Sequence, residues 1–364
     1  MVLNLLSRVI LLLYSGLFIL IAGLLPIAGL SQTSSGKGLF DTDEVLEITL
    51  SGTIREALND RTGIPKKYAA VLSYNKEDNS IINTPVELQT RGNFRRMKEN
   101  CNYPPLWIHF PIKGGYETTV FREQRKTKLV MPCVDDDYII REWLVYKLYN
   151  LISPLSFRVR LVKVKTEDPK IKKASSSFYG ILLEEEKQMA RRSNMKSVAA
   201  KLKPEQTKAE DFLTMSVFEY LIGNTDWSVQ YLHNVKLLVK NSTEIPVTVP
   251  YDFDHSGIVN APYARPAEEL QMSSTRERRY RGYCVQNLKT FEAVIARYNN
   301  LKTNIYKLYS DCKLLDQKYI KSTLQFLDQF YETINNPKLW QKAFSYPCDK
   351  NGTGNIVIKG LKEE

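Results

Sequence analysis

The sequence predicts an α+β fold in two lobes, strands first and helices after. Short strand-like runs crowd the first half of the chain, between residues 45 and 183. Apolar residues then recur at helical spacing over 209–222, 288–308 and 317–334. A third observation locates the chemistry: Asp226, Asn234, a strand pair and Asp252 follow one another in that order.

Arg8 precedes an apolar run from Val9 to Leu30, and polar Ser31 to Ser35 follow. Gly29 and Ser31 are small enough for a signal peptidase, so a cleaved signal peptide over 1–31 is expected. The same run is long enough to be an uncleaved anchor, which would then be the chain's one membrane contact. No second apolar span follows, so the body is expected to be exported: periplasmic, at the cell surface or secreted. Val45 to Leu50 alternates like a strand, and 53–61 reads as a short helix capped by Ser51 or Thr53. Strands are expected at 68–74, 85–90, 106–110 and 127–131, with Arg91-Gly92-Asn93 as a turn. Asp135 to Asp137 open a helix over 138–151, where acidic side chains suit the helix dipole. Strands follow at 157–166 and 178–183, separated by a polar loop over 170–177. The lobe boundary is expected near 184–187. This gives a strand-rich lobe over 32–186, a helical lobe with the strand pair over 187–348, and a peripheral tail over 349–364.

Composition bounds the function. With 43% hydrophobic residues the chain buries a real core and is not disordered. Net charge is +11, dispersed but denser at 91–98, 122–128 and 276–281. Such a surface is either simply solvated or attracts phosphates, a nucleotide or an acidic substrate. No nucleic-acid module is recognisable, so no nucleic-acid partner is expected. Export makes cysteine pairing the expectation. Cys101 and Cys133 flank the N-terminal strands and form the first expected pair, Cys284 with Cys348 the second. Cys312 is then left free on a helix. Three scattered histidines and no CxxC spacing argue against zinc.

The apolar helix over 209–222 stops at Gly223, and Asp226 follows in a loop. Asn234 opens a strand, Val235 to Val239. A turn at 241–245 leads into a second strand, Pro246 to Tyr251, and then Asp252 and Asp254. Taken singly, Asn224-Thr225-Asp226 is a turn and Tyr251 to Asp254 is a polar strand end; clustered aspartates also suit calcium. The order as a whole matches what phosphoryl transfer requires: a carboxylate for the attacking hydroxyl, then an Asn and a carboxylate for magnesium. Lys126 and Lys128 share a face of one strand and are candidates for nucleotide phosphates. Glu142 is their natural helix partner. However, a wheel set on Ile140, Leu144, Lys147 and Leu151 turns Glu142 away, so an exposed glutamate is the other reading. Arg91, Gly92 and Arg95 form either a phosphate-covering turn or an ordinary hairpin. Glu184 is either solvated or a hinge beside an adenine.

These motifs together resemble the spore-coat protein H (CotH)-like atypical kinases, and more specifically their exported Gram-negative relatives. The residues concerned are Arg91-Gly92-Asn93, Tyr179-Gly180 leading to Glu184, Gly223 to Trp227, His233-Asn234 and Tyr251 to Asp254. The resemblance covers roughly residues 84–257. It implies a divergent, bilobal protein-kinase-like fold that binds ATP and magnesium, with manganese or calcium as substitutes. It also implies phosphorylation of a protein Ser/Thr or other hydroxyl. Carried over, Asp226 is the catalytic acid/base, and Asn234, Asp252 and Asp254 are metal ligands. Two departures stand out: the long interval from Asp226 to Asn234, and the lack of a GxGxxG loop. Two other classes fit the same chain: a non-catalytic surface or periplasmic binding protein of kinase-like fold, and a calcium-binding envelope scaffold.

Overall fold

The computed structural model describes residues 37–111, 116, 118–170, 177–283 and 289–344. The signal-peptide reading, most of the 170–177 loop, the Cys284–Cys348 pair and the 349–364 tail lie outside the described residues.

Seven strands form the first half: β1 (Leu46–Gly52), β2 (Tyr68–Asn75), β3 (Ile81–Thr90), β4 (Leu106–His109), β5 (Lys126–Val130), β6 (Val159–Glu167) and β7 (Ser177–Leu183). Each falls where the sequence predicts a strand. They do not stay an open sheet. They close into a barrel in the order β1-β2-β3-β4-β5-β7-β6, because β6 pairs in parallel with β1 from Leu46↔Val162 to Ser51↔Glu167. That closure joins segments more than a hundred residues apart, so no local pattern announces it. Its interior is an apolar core that includes Leu50, Leu72, Leu88, Ile108, Leu129, Val164 and Leu182. A closed barrel also leaves no edge strand to template pairing with another chain.

Helix α1 (Ile54–Asn59) follows β1, but neither expected hydroxyl caps it. Thr53 Oγ1 instead donates to the carbonyl of Ala69 at 3.1 Å, tying the helix start to β2. A 3₁₀ turn, Phe94–Arg96, follows β3. Cys101 and Cys133 are joined in a disulfide, as expected.

Helix α2 (Asp136–Ile152) starts on Asp135, whose carboxylate accepts from the Asp137 backbone N–H at 3.0 Å. It belongs to a second, larger core with the later helices. After β7 come α3 (Glu186–Arg192) and β8 (Lys196–Val198), then α4 (Ala209–Ile222) and the strands β9 (Val235–Val239) and β10 (Val247–Pro250). The hairpin β9–β10 is as predicted, and β8 adds to it as a third antiparallel strand. Helices α5 (Lys289–Ser310), α6 (Gln317–Asn335) and α7 (Pro337–Phe344) complete the order. The short α3, β8 and α7 are absent from the sequence reading, being too brief to show a period. Cys312 is free and lies just past the end of α5 rather than on it. Among the described residues no helix is long and apolar enough to cross a membrane.

Candidate active site

From Phe212 to Ile222 helix α4 is buried on every side, so the one acid of that stretch, Glu219, is buried too. Gly223 ends the helix in the left-handed region, φ +68°, where a side chain would be strained. The loop that follows is held from within. Asn224 Nδ2 donates to Glu219 Oε2 at 2.9 Å, and the Asp226 backbone N–H donates to Asn224 Oδ1 at 3.0 Å. From the other side, buried Arg281 donates to the carbonyls of Thr225 at 2.5 Å and Trp227 at 2.7 Å. Asp226 therefore stands between two anchored carbonyls.

The base of the hairpin brings the next groups in. The Tyr251 backbone N–H donates to the Asn234 carbonyl at 3.0 Å, so the residues just before β9 and just after β10 are neighbours. Asn234 (φ +53°) and Asp252 (φ +65°) both adopt left-handed backbone, as does Leu232 (φ +51°). Such conformations in non-glycine residues store strain and cluster at functional sites. Asn234 Nδ2 donates to the Asp226 carbonyl at 2.8 Å and to Asp226 Oδ2 at 3.1 Å. His233 Nε2 lies 3.1 Å from Asp226 Oδ1. Both carboxylate oxygens are thus engaged while the side chain stays 30% exposed. Burial opposes ionisation of Asp226, but the His233 hydrogen bond and the charge of His255 outweigh it and lower its pKa.

Asp254 is brought alongside by a backbone stitch. The N–H groups of Gly257 and Ile258 donate to the carbonyls of Gly223 and Ile222, at 3.0 and 2.9 Å. Gly257 has no room for a side chain, because a Cβ there would lie 2.2 Å from the Thr275 carbonyl. Glu142, Asp252 and Asp254 each present an oxygen within 4.8 Å of the others. Lys128 Nζ donates to Asp252 Oδ1 at 3.2 Å, and the Asp252 N–H donates to Tyr146 Oη at 2.9 Å. Burial lowers the pKa of Lys128, with Arg91 adding and Asp252 opposing. Burial opposes charge on Asp252 and Asp254 as well. Lys128 holds the first below the usual range, and Arg95 with His255 holds the second below it.

Glu142 and Arg95 differ from the sequence expectation in their partners. Glu142 is fully buried, not exposed. The wheel fails because it groups buried Ile140 and Leu144 with Lys147, which pairs with Asp43, and Leu151, which is 38% exposed. Helix α2 buries more than one side, and Glu142 lies on one of the others. Nor is a lysine its ion partner: Arg95 Nη2 lies 3.3 Å from Glu142 Oε2, while Lys128 takes Asp252. Arg95 itself is buried among carboxylates and does not cover an open phosphate site. Its Nε and Nη2 donate to Asp254 Oδ2 at 3.0 and 2.8 Å, and Nη2 also meets Tyr263 Oη at 3.0 Å.

The remaining candidates lie around this cluster. Arg91, in the turn with Gly92, sits 4.5 Å over the Trp107 ring, and Lys126 sits 4.3 Å from the same ring. Lys126 also pairs with Glu185 at 3.6 Å. Glu184 is buried with its carboxylate committed to Arg158 and Arg192, at 3.1 and 3.0 Å. Its backbone N–H, at the exit of β7, is taken as well, donating to the Arg158 carbonyl at 3.0 Å. Sequence reasoning missed Arg281, Tyr263, Tyr146, Glu219 and Trp107. Glu219 had a visible signal, the one charged residue in the largely apolar stretch 212–222. Arg281 and Tyr146 lie 56 and 106 residues from the backbone groups they hold, and neither Tyr263 nor Trp107 belongs to a motif that marks it.

The donor set suits a hard divalent cation, since all three groups offer carboxylate oxygen. One of those oxygens, Glu142 Oε1, is buried with no hydrogen-bond partner. The residues present therefore fit magnesium, and Asn234 retains its Oδ1 because its amide nitrogen is the atom that holds Asp226.

No protein-family model matches the chain, and no curated protein matches it. Among solved structures it is similar to the crystal structure of the Helicobacter pylori proinflammatory kinase CtkA, at 9% identity and a TM-score of 0.38. The alignment covers 68% of this chain and 92% of that one.

Proposed function

We propose that this chain is an exported, magnesium-dependent phosphotransferase of kinase-like and CotH-like type, moving a phosphoryl group from ATP to a Ser/Thr or other hydroxyl. One observation carries the reading. A partly exposed Asp226, held by Asn234, stands beside a carboxylate cluster whose Asp252 is paired with a buried lysine. This separates a group that faces an acceptor from groups that face a metal and phosphates.

A bound magnesium ion, held by Asp252, Asp254, Glu142 and Asn234, would neutralise phosphate charge. Lys128 would give up part of its contact with Asp252 to bind a phosphate oxygen. Arg91 and Lys126, stacked on Trp107, would steer the polyphosphate toward it. Asp226, ionised at neutral pH, would accept a hydrogen bond from the acceptor hydroxyl and orient it. As the new oxygen–phosphorus bond forms and the bond from the γ-phosphorus to the leaving ADP breaks, the hydroxyl proton passes to Asp226. The dispersed positive surface favours an acidic protein acceptor.

The test is Asp226→Asn, which keeps size but removes the basic oxygen. Phosphotransfer should fall by about 10²-fold or more, with nucleotide affinity largely unchanged. Wild-type turnover in this variant would remove Asp226 from the mechanism.

A further inference from the structure

Resting on that reading, we infer that Arg95 is a resident cation within the carboxylate cluster, and that the site consequently takes one divalent ion with its nucleotide, not two. Arg95 takes up carboxylate oxygens that a second ion would need. Asp254 Oδ2 accepts from Arg95 Nε at 3.0 Å, from Arg95 Nη2 at 2.8 Å and from Tyr263 Oη at 3.1 Å, which saturates it. Glu142 Oε2 faces Arg95 Nη2 at 3.3 Å. Asp252 Oδ1 faces Lys128 at 3.2 Å. One oxygen of each carboxylate is then free of these contacts: Glu142 Oε1, Asp252 Oδ2 and Asp254 Oδ1. With Asn234 Oδ1 they would serve as four protein ligands for a single magnesium-like ion, whose octahedral shell is completed by phosphate oxygens or water. Arg95 occupies the carboxylate oxygens on which a second ion would depend.

Arg95 and Lys128 return two positive charges to the carboxylates in their ionised forms, and Arg95, only 8% exposed, stands inside the cluster as a fixed cation. Arginine stays protonated in proteins, so its charge is permanent. Its side chain reaches the cluster from the turn after β3, 159 residues before Asp254, and packs 5.9 Å from the Tyr263 ring.

The experiment counts Mn2+ bound per chain by paramagnetic resonance, at saturating non-hydrolysable ATP analogue, in wild type, Arg95→Gln and Arg95→Lys. Wild type should bind one ion. Arg95→Gln removes the charge and frees carboxylate oxygens, so it should bind a second. Arg95→Lys keeps the charge and should bind one. Two ions in wild type or in Arg95→Lys would overturn the inference. So would a single ion in an Arg95→Gln protein whose melting curve shows it folded. If Arg95→Gln does not fold, the counts in wild type and Arg95→Lys decide. Failure of the underlying reading looks different: wild type would then bind neither Mn2+ nor the analogue.

Discussion

Burial governs the ionisation of Glu142. Loss of water raises its pKa, Arg95 opposes the rise, and Asp254 and Asp252 add to it, leaving it at about 8. The folded state therefore holds a proton that the unfolded chain has released above its ordinary 4.5. The stability Glu142 contributes is full below that value and is lost as pH rises through about 8. In metal-free protein, Glu142→Gln should flatten the decline in chemical-denaturation stability across that window, and an unchanged decline would remove Glu142 as its source. Asp252 and Asp254 act in the opposite sense. Their pKa values are lowered, so their contribution is present above the unfolded value of 3.8 and is lost as pH falls through the folded ones. At this scale the sequence revealed the aspartates but not their partners. Asp226, Asn234 and Asp252 are close because a short hairpin separates them, which is a local fact. Arg95 and Glu142 meet across 47 residues, and each obeyed a plausible local pattern that tertiary packing overrode.

The loop from Gly223 to Asn234 shows how elements position the chemistry. Asn224 is 1% exposed and bridges Glu219 on α4 to the backbone of Asp226. Burial raises the pKa of Glu219 well above its usual value, with the Asn224 hydrogen bond opposing. Removing that amide takes the partner from a buried acid and from the partly buried Asp226 N–H. Asn224→Ala should cost about 1–3 kcal/mol in denaturant titration and lower turnover through Asp226. Full stability and full activity together would show that the bridge does not hold the loop. A second element-scale device is the Cys101–Cys133 disulfide, which closes a loop with a sequence separation of 32. Chain-entropy arguments give about 3–4 kcal/mol for such a loop. The Cys101→Ser, Cys133→Ser double variant should lose stability on that scale, and unaltered unfolding would count against a structural bridge. Strands and long helices were legible because their periods are strong. Closure of the barrel was not, since β1 and β6 pair in parallel over a separation that periodicity does not encode.

At the scale of the molecule, a closed barrel supplies Lys128 and, from the turn after β3, Arg95. A helix beside it supplies Glu142, and the hairpin and the loop before it supply the rest. The central claim is that these parts form one nucleotide site dependent on a divalent ion. The direct measurement is thermal unfolding of the protein with ATP, with and without magnesium, in wild type and Asp252→Asn. Ligand at a hundred times its dissociation constant stabilises the folded state by about 2.7 kcal/mol, a rise of several degrees. The account predicts that rise in wild type only when magnesium and ATP are both present, and its loss in Asp252→Asn. No nucleotide-dependent shift in wild type with any divalent ion, or an equal shift in Asp252→Asn, would contradict it.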